Sequence, residues 1–136
     1  MDDQIDGLFV SVGRRIENGA FKDAISEIFD FIRSANKFFD TEQPWITRTT
    51  DQKACENTLY QCVQIIANLA VLLAPFLPFS SEKVCRWLGT DNKWGKKSVS
   101  AGYQLPEVEI LFQRIDKKVI DIETEKLKSI LFHENL

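Results

Sequence analysis

From Ile5 onward, apolar residues fall at positions 5, 8, 9, 12 and 16, the spacing that lines one face of a helix with a period of 3.6 residues. This predicts a first helix over about 3–17, weakened by Gly7 and Gly13 and stopped by Asn18-Gly19. Asn18 is placed to cap the next helix by accepting from an orphan backbone amide. A second stripe, Phe21, Ala24, Ile25, Ile28, Ile32, Ala35 and Phe39, has Lys22, Asp23, Glu27, Arg33 and Lys37 on its wet side. It predicts a helix over about 20–40 that ends near Thr41, because Pro44 disfavours helical geometry at Gln43.

Residues 46 to 50 read as a threonine-rich loop. Thr49 and Gln52 have capping-box spacing, with Thr50 and Asp51 as alternative caps, for a long helix over about 51–74. Leu59, Cys62, Val63, Ile66, Leu69, Ala70 and Leu73 carry its alternation, and Ile65, Val71 and Leu72 widen the stripe until its C-terminal half is apolar nearly all round. That half should be the most buried element. Pro75 and Pro78 end the helix, and Ser80 as cap with Phe79 and Val84 as a hydrophobic staple opens a short one at 81–88, closed by Gly89. Residues 90–106 have no period and hold Gly95, Gly102 and Pro106, so they read as a long loop, a length that is uncommon without a task. A last helix is predicted over about 116–132, with Lys117–Asp121 and Glu123–Lys126 as neighbouring ion pairs.

No hairpin signal or internal repeat interrupts this series. The fold class is all-α, a bundle of four to five helices in one domain over residues 1–136 with one long loop. The composition, 44% hydrophobic and 27% charged in 136 residues, is that of an ordinary globular domain. The longest apolar run, Ile65 to Phe79, contains Asn68 and two prolines, which argues against a membrane-spanning helix. Met1-Asp2-Asp3-Gln4 lacks the basic start of a secretory signal, so a cytoplasmic location is expected.

Candidate chemistry is sparse. Cys55, Cys62 and Cys85 form no C-x-x-C pair, so they read as packing residues, with no metal or thiol redox role expected. The single histidine, His133, lies close to the C-terminus and reads as a solvated residue. No Gly-rich phosphate cradle, nucleophile elbow or metal-ligand spacing occurs, so neither a catalytic residue nor a cofactor is expected in this chain. The charge of −3 is unevenly spread. Residues 1–44 hold nine acids against five bases, whereas residues 83–97 hold five bases, Lys83, Arg86, Lys93, Lys96 and Lys97, against Asp91 alone. Trp94 sits inside this basic stretch. A loop tryptophan among lysines suits single-stranded RNA, with the indole stacking on a base and the lysines meeting phosphates. A lid packed over the core would give the same pattern.

The segment Ala35-Asn36-Lys37-Phe38-Phe39-Asp40-Thr41-Glu42-Gln43-Pro44-Trp45 resembles the Asn-basic-aromatic, then Pro-Trp, signature of the anticodon-binding domain of methionyl-tRNA synthetase, a class I aminoacyl-tRNA synthetase. Leu72-Leu73-Ala74-Pro75-Phe76-Leu77-Pro78-Phe79-Ser80, Trp87-Leu88-Gly89 and Leu111-Phe112-Gln113-Arg114-Ile115-Asp116 follow in that family's order, so the resemblance covers about residues 10 to 125. It implies an RNA-binding role for Trp94, stacking on the first base of a CAU anticodon, with Lys93, Lys96 and Arg86 near the phosphates. It also implies that Trp45 and Trp87 are packing residues and that Asn36 is a structural hydrogen-bonder at a helix end. The family's H-I-G-H and K-M-S-K-S signatures do not occur here. Nor does its upstream helix, which carries an Asn and an Arg one turn apart. The resemblance thus implies a tRNA anticodon-recognition module of a methionine-tRNA ligase, with tRNA and the catalytic domain as partners. The competing expectation is a synthetase-derived protein-interaction bundle that docks on another chain and reads no anticodon.

Overall fold

The computed structural model describes residues 2–133, with the side chains of Asp2, Phe132 and His133 outside the description, so the reading of His133 as solvated lies outside the described residues. Among the described residues six helices follow one another: α1 (Asp2–Glu17), α2 (Phe21–Glu42), α3 (Pro44–Thr50), α4 (Gln52–Leu72), α5 (Pro78–Leu88) and α6 (Lys117–His133). The all-α reading holds, and five of the six lie where periodicity places them. None of the described helices is long and apolar enough to cross a membrane.

Helices α1 and α2 form an antiparallel hairpin. Gly19 takes φ +72 between them, and the amides of Gly19 and Ala20 bond to the carbonyls of Ile16 and Arg15, closing α1 as a Schellman motif. Asn18 belongs to this closure and does not cap α2; Ala20 holds the cap position without a side-chain bond. Glu27 fastens the hairpin by accepting from Ser11 Oγ (2.9 Å) and Arg15 Nε (2.7 Å). The core lies between α1, α2, α4 and α5, where Ile5, Val12, Ala24, Ile28, Val71 and Leu72 are almost wholly buried. Phe21 and Phe39, at the two ends of the α2 stripe, stay exposed, while Phe31 is buried in their stead.

Threonine content misleads at 46–50, which are helical. Pro44 supplies the fixed φ of a first helical position, and Gln43 turns the chain with φ +46. The hydroxyls of Thr47, Thr49 and Thr50 bond back to carbonyls three or four residues earlier, so the hydroxyl groups that favour turns are spent inside α3. Asp51 caps α4 by accepting from the Ala54 amide at 3.1 Å. At α5 the start falls at Pro78 with Leu77 as cap, so Ser80 is not the cap, and Phe79, 82% exposed, forms no staple.

The C-terminal half of α4 is the most buried helical stretch, as its composition predicts. Its inner line differs from the predicted one: Cys55, Thr58, Ile65, Asn68 and Leu72 point inward, while Leu59 and Ile66 are exposed. A stripe apolar all round has no unique phase, and hydrogen bonding selects it. Asn68, 1% exposed, donates from Nδ2 to the carbonyls of Gln64 (2.8 Å) and Lys97 (2.9 Å) and accepts the Lys97 amide at 2.7 Å. One turn earlier, Gln64 donates to the Val99 carbonyl (2.8 Å) and accepts its amide (2.9 Å). Two side-chain amides thus pair alternate residues of an extended segment as a neighbouring strand would. Val99, the residue paired with Gln64, is buried against Ala67 and Leu88. The predicted long loop is therefore, up to residue 99, a strap bound across the bundle.

Beyond the strap the chain runs over α5, where Tyr103 covers Gly89, closed at φ +65, and Lys83 pairs with Glu109 at 2.6 Å. Helix α6 stands off the bundle, with every described side chain exposed, including Ile120, Leu127 and Ile130. Its pairs are Glu123–Lys126 (2.6 Å) and Glu125–Lys128 (2.8 Å); the expected Lys117–Asp121 pair does not form.

Asn68→Ala should cost about 2–4 kcal/mol in urea unfolding, because it strands the Lys97 amide and carbonyl in a buried site. Asn36→Ala, on the exposed face of α2, should change stability by less than about 0.5 kcal/mol.

Candidate nucleic-acid interface

The strap carries Lys93, Trp94 and Lys96, and it lays the indole against α1. Trp94 is 44% exposed, its Nε1–H donates to the Phe9 carbonyl at 3.3 Å, and its ring meets the Phe9 ring edge-on with centroids 5.3 Å apart. Gly13 lies directly beneath; a Cβ there would come within 3.2 Å of Nε1. One edge of the ring is thus fixed against α1, and part of the ring faces solvent. A shallow cleft beside it is lined by Phe9, Val10, Gly13, Arg14, Glu17 and Trp94.

The surrounding charge is largely compensated within the chain. Lys96 pairs with Asp6 at 3.0 Å, Lys97 with Asp91 at 2.6 Å, and Arg86 with Glu82 at 3.4 Å. Lys93 is exposed, and its backbone amide donates to Asp91 Oδ1 at 2.9 Å. Arg86 belongs to α5 and its pair lies within that helix, so the structure groups Lys93, Trp94 and Lys96 on the strap without joining Arg86 to them by any described contact. Surface pairs of this kind contribute little to stability. Their larger effect is that a phosphate must compete with a carboxylate for most of these cations.

The hydrogen bond from Lys97, and then the Lys93 amide, hold the Asp91 carboxyl below its ordinary range; Lys83 does the same for Glu109. Because both folded values are depressed, these contacts stabilise above the ordinary carboxylate value and are lost as pH falls through the lowered one. Burial pushes the Cys62 thiol upward, away from reactivity. Among the described residues no group of histidine, cysteine and carboxylate side chains is placed to hold a metal ion.

A second tryptophan is as open. Trp45, expected to pack, is 48% exposed at the start of α3, and its indole N–H has no partner among the described residues. Its ring contacts Phe39 at 5.6 Å with a tilt of 53°. Exposed Arg48 follows one turn later on α3. The signal was present in the sequence: a tryptophan directly after a proline that restarts a helix emerges at a turn. Trp87, by contrast, is half-buried in α5, as a packing role requires. Asn36 lies within α2, exposed and without a described side-chain bond, so it is not a hydrogen-bonder at a helix end.

The family model described as the anticodon-binding domain of tRNA ligase matches residues 2–131. The chain belongs to this family. It is 48% identical over 121 residues to methionine–tRNA ligase 1 of Alkaliphilus oremlandii, covering 88% of this chain and 22% of that protein. It is 46% identical over 127 residues to the methionine–tRNA ligase of Bacillus mycoides, covering 93% of this chain and 23% of the relative. The crystal structure of free Mycobacterium tuberculosis methionyl-tRNA synthetase superimposes with a TM-score of 0.69 at 25% identity, over 82% of this chain and 24% of that one. The chain therefore spans under a quarter of the length of the relatives it matches, and the family match extends into α6 as far as Leu131.

Gly7→Ala should stabilise this anticodon-binding-family domain by about 0.5–1 kcal/mol, because a Cβ there meets open space in a helix interior. Gly13→Ala should forfeit that gain by lengthening the Trp94 hydrogen bond, visible as a changed tryptophan emission. An NMR pH titration should find Asp91 and Glu109 ionising below ordinary carboxylates, and the Asp91 displacement should collapse in Lys97→Met.

Proposed function

We propose that this chain is the tRNA anticodon-recognition module of a methionine-tRNA ligase, supporting aminoacylation by binding and orienting the anticodon arm. The observation that carries the reading is the family match over residues 2–131, joined to relatives that are themselves methionine–tRNA ligases. A half-exposed indole on a fixed helical frame supplies the chemistry, since an unpaired base stacks on any aromatic face and a cation nearby meets its phosphate. The proposed triplet is CAU, and the proposed working location is the cytoplasm, where translation takes place.

The sequence reading makes Trp94 the platform, with Lys93, Lys96 and Arg86 at the phosphates. The geometry favours Trp45 as a second platform, because its indole N–H has no partner among the described residues and its half-exposed ring is braced by an aromatic contact with Phe39. Arg48 then stands nearest in sequence as a phosphate partner. The exposed apolar residues Leu105, Val108, Ile110, Phe112 and Ile115, together with α6, are the surface proposed to meet the remainder of a synthetase. With acids dominating residues 1–44 and most strap cations already paired, affinity for RNA should be modest and should fall steeply with salt.

Fluorescence-anisotropy titration of a CAU anticodon stem-loop at low salt tests the reading. Loss of the stacking platform should weaken binding by about 1–3 kcal/mol. Trp45→Ala and Trp94→Ala, measured side by side, assign the platform to whichever shows that loss. Unchanged binding in both variants overturns the assignment of stacking to these rings, and no binding by the native chain overturns the module reading.

A further inference from the structure

We propose that Phe39 is a positioning residue for RNA binding, holding the Trp45 ring in the orientation that receives a base; this rests on the reading of Trp45 as a platform. The backbone that carries Trp45 is fixed on both sides. The Gln43 amide bonds to the Phe39 carbonyl at 3.1 Å, closing α2, and the Gln43 carbonyl receives the amides of Ile46 (2.8 Å) and Thr47 (3.0 Å), opening α3. Gln43 itself adopts φ +46, and this left-handed turn brings the start of α3 back to the end of α2. Pro44 is buried, and its carbonyl accepts the Cys55 thiol at 3.4 Å from α4.

With the backbone set, the freedom left to Trp45 is rotation about its two side-chain bonds. Phe39 restricts it. At 37% exposure Phe39 is the one residue of the α2 stripe near this turn that does not enter the core, and its ring contact is with Trp45. A ring that already occupies the stacking orientation loses less rotational freedom when a base arrives, so the contact lowers the entropic cost of binding. An aromatic pair of this kind is worth about three- to tenfold in an equilibrium constant.

The test uses the intact chain and a CAU anticodon stem-loop, with 5-fluorotryptophan incorporated and the Trp45 19F resonance assigned by its loss in Trp45→Phe. Phe39→Leu should weaken RNA binding about three- to tenfold and shift the Trp45 resonance at an unchanged urea midpoint, while Phe39→Tyr keeps native values of all three. Trp45→Ala is measured in parallel. If it weakens binding and Phe39→Leu does not, positioning is refuted and the platform reading survives. If Trp45→Ala leaves binding unchanged, the platform reading fails and the inference falls with it. If Phe39→Tyr is impaired as much as Phe39→Leu, or the binding loss tracks a lowered urea midpoint, Phe39 is only a packing residue.

Discussion

Two side-chain amides on one face of α4 organise this molecule. Gln64 and Asn68 offer donor and acceptor in the right order, one helical turn apart, and the extended chain of Lys97 and Val99 offers the complementary groups two residues apart. The match works because one helical turn rises about 5.4 Å and two strand residues about 6.6 Å, so a helix face can bind a strand with little distortion. Burial makes the arrangement obligatory: a buried backbone amide or carbonyl without a partner costs about 1–3 kcal/mol. Helix α4 touches α1, α2, α3 and α5, so the strap fixed to it also fixes Trp94 on α1 and the ion pair from Lys96 to Asp6.

This pairing also explains what was legible beforehand. The helices of α1, α2, α4, α5 and α6 announce themselves through period, because each depends on residues close in sequence. Asn68 looked like a blemish in an apolar run, and the segment after Gly89 looked like a loop, since nothing local tells that the two bind each other. The phase of α4 was lost for the same reason. Leu59 and Ile66 outrank Thr58 and Asn68 on any hydrophobicity scale, yet the polar pair is inside because its hydrogen bonds are made there. At α3 the cause is different: threonine statistics describe an average environment, and here the hydroxyls are satisfied by the carbonyls of the cap residue Gln43 and of Ile46.

The candidate surface was only partly readable. A run of lysines around Trp94 advertises positive charge, but the carboxylates of Asp6 and Asp91 that pair with Lys96 and Lys97 lie 90 and 6 residues away in sequence. Charge counted along a segment therefore overstates what a phosphate would meet. Conversely, Trp45 sits in a signature segment of the resemblance, and its exposure follows from a left-handed turn at Gln43 that no propensity table assigns to glutamine. Chain-level chemistry gives the family; which aromatic face is open is a property of the tertiary turn.

The distances along the chain have a kinetic meaning. The hairpin of α1 and α2 joins residues 12 to 16 apart, whereas the bond from Trp94 to Phe9 spans 85 residues and the amide pairs span 29 and 35. Closing such long loops sacrifices chain entropy before any contact compensates, so non-local contacts form slowly. The strap can seat only on a helix frame that already exists, which makes its docking the late event of assembly and the Trp94 indole its natural reporter.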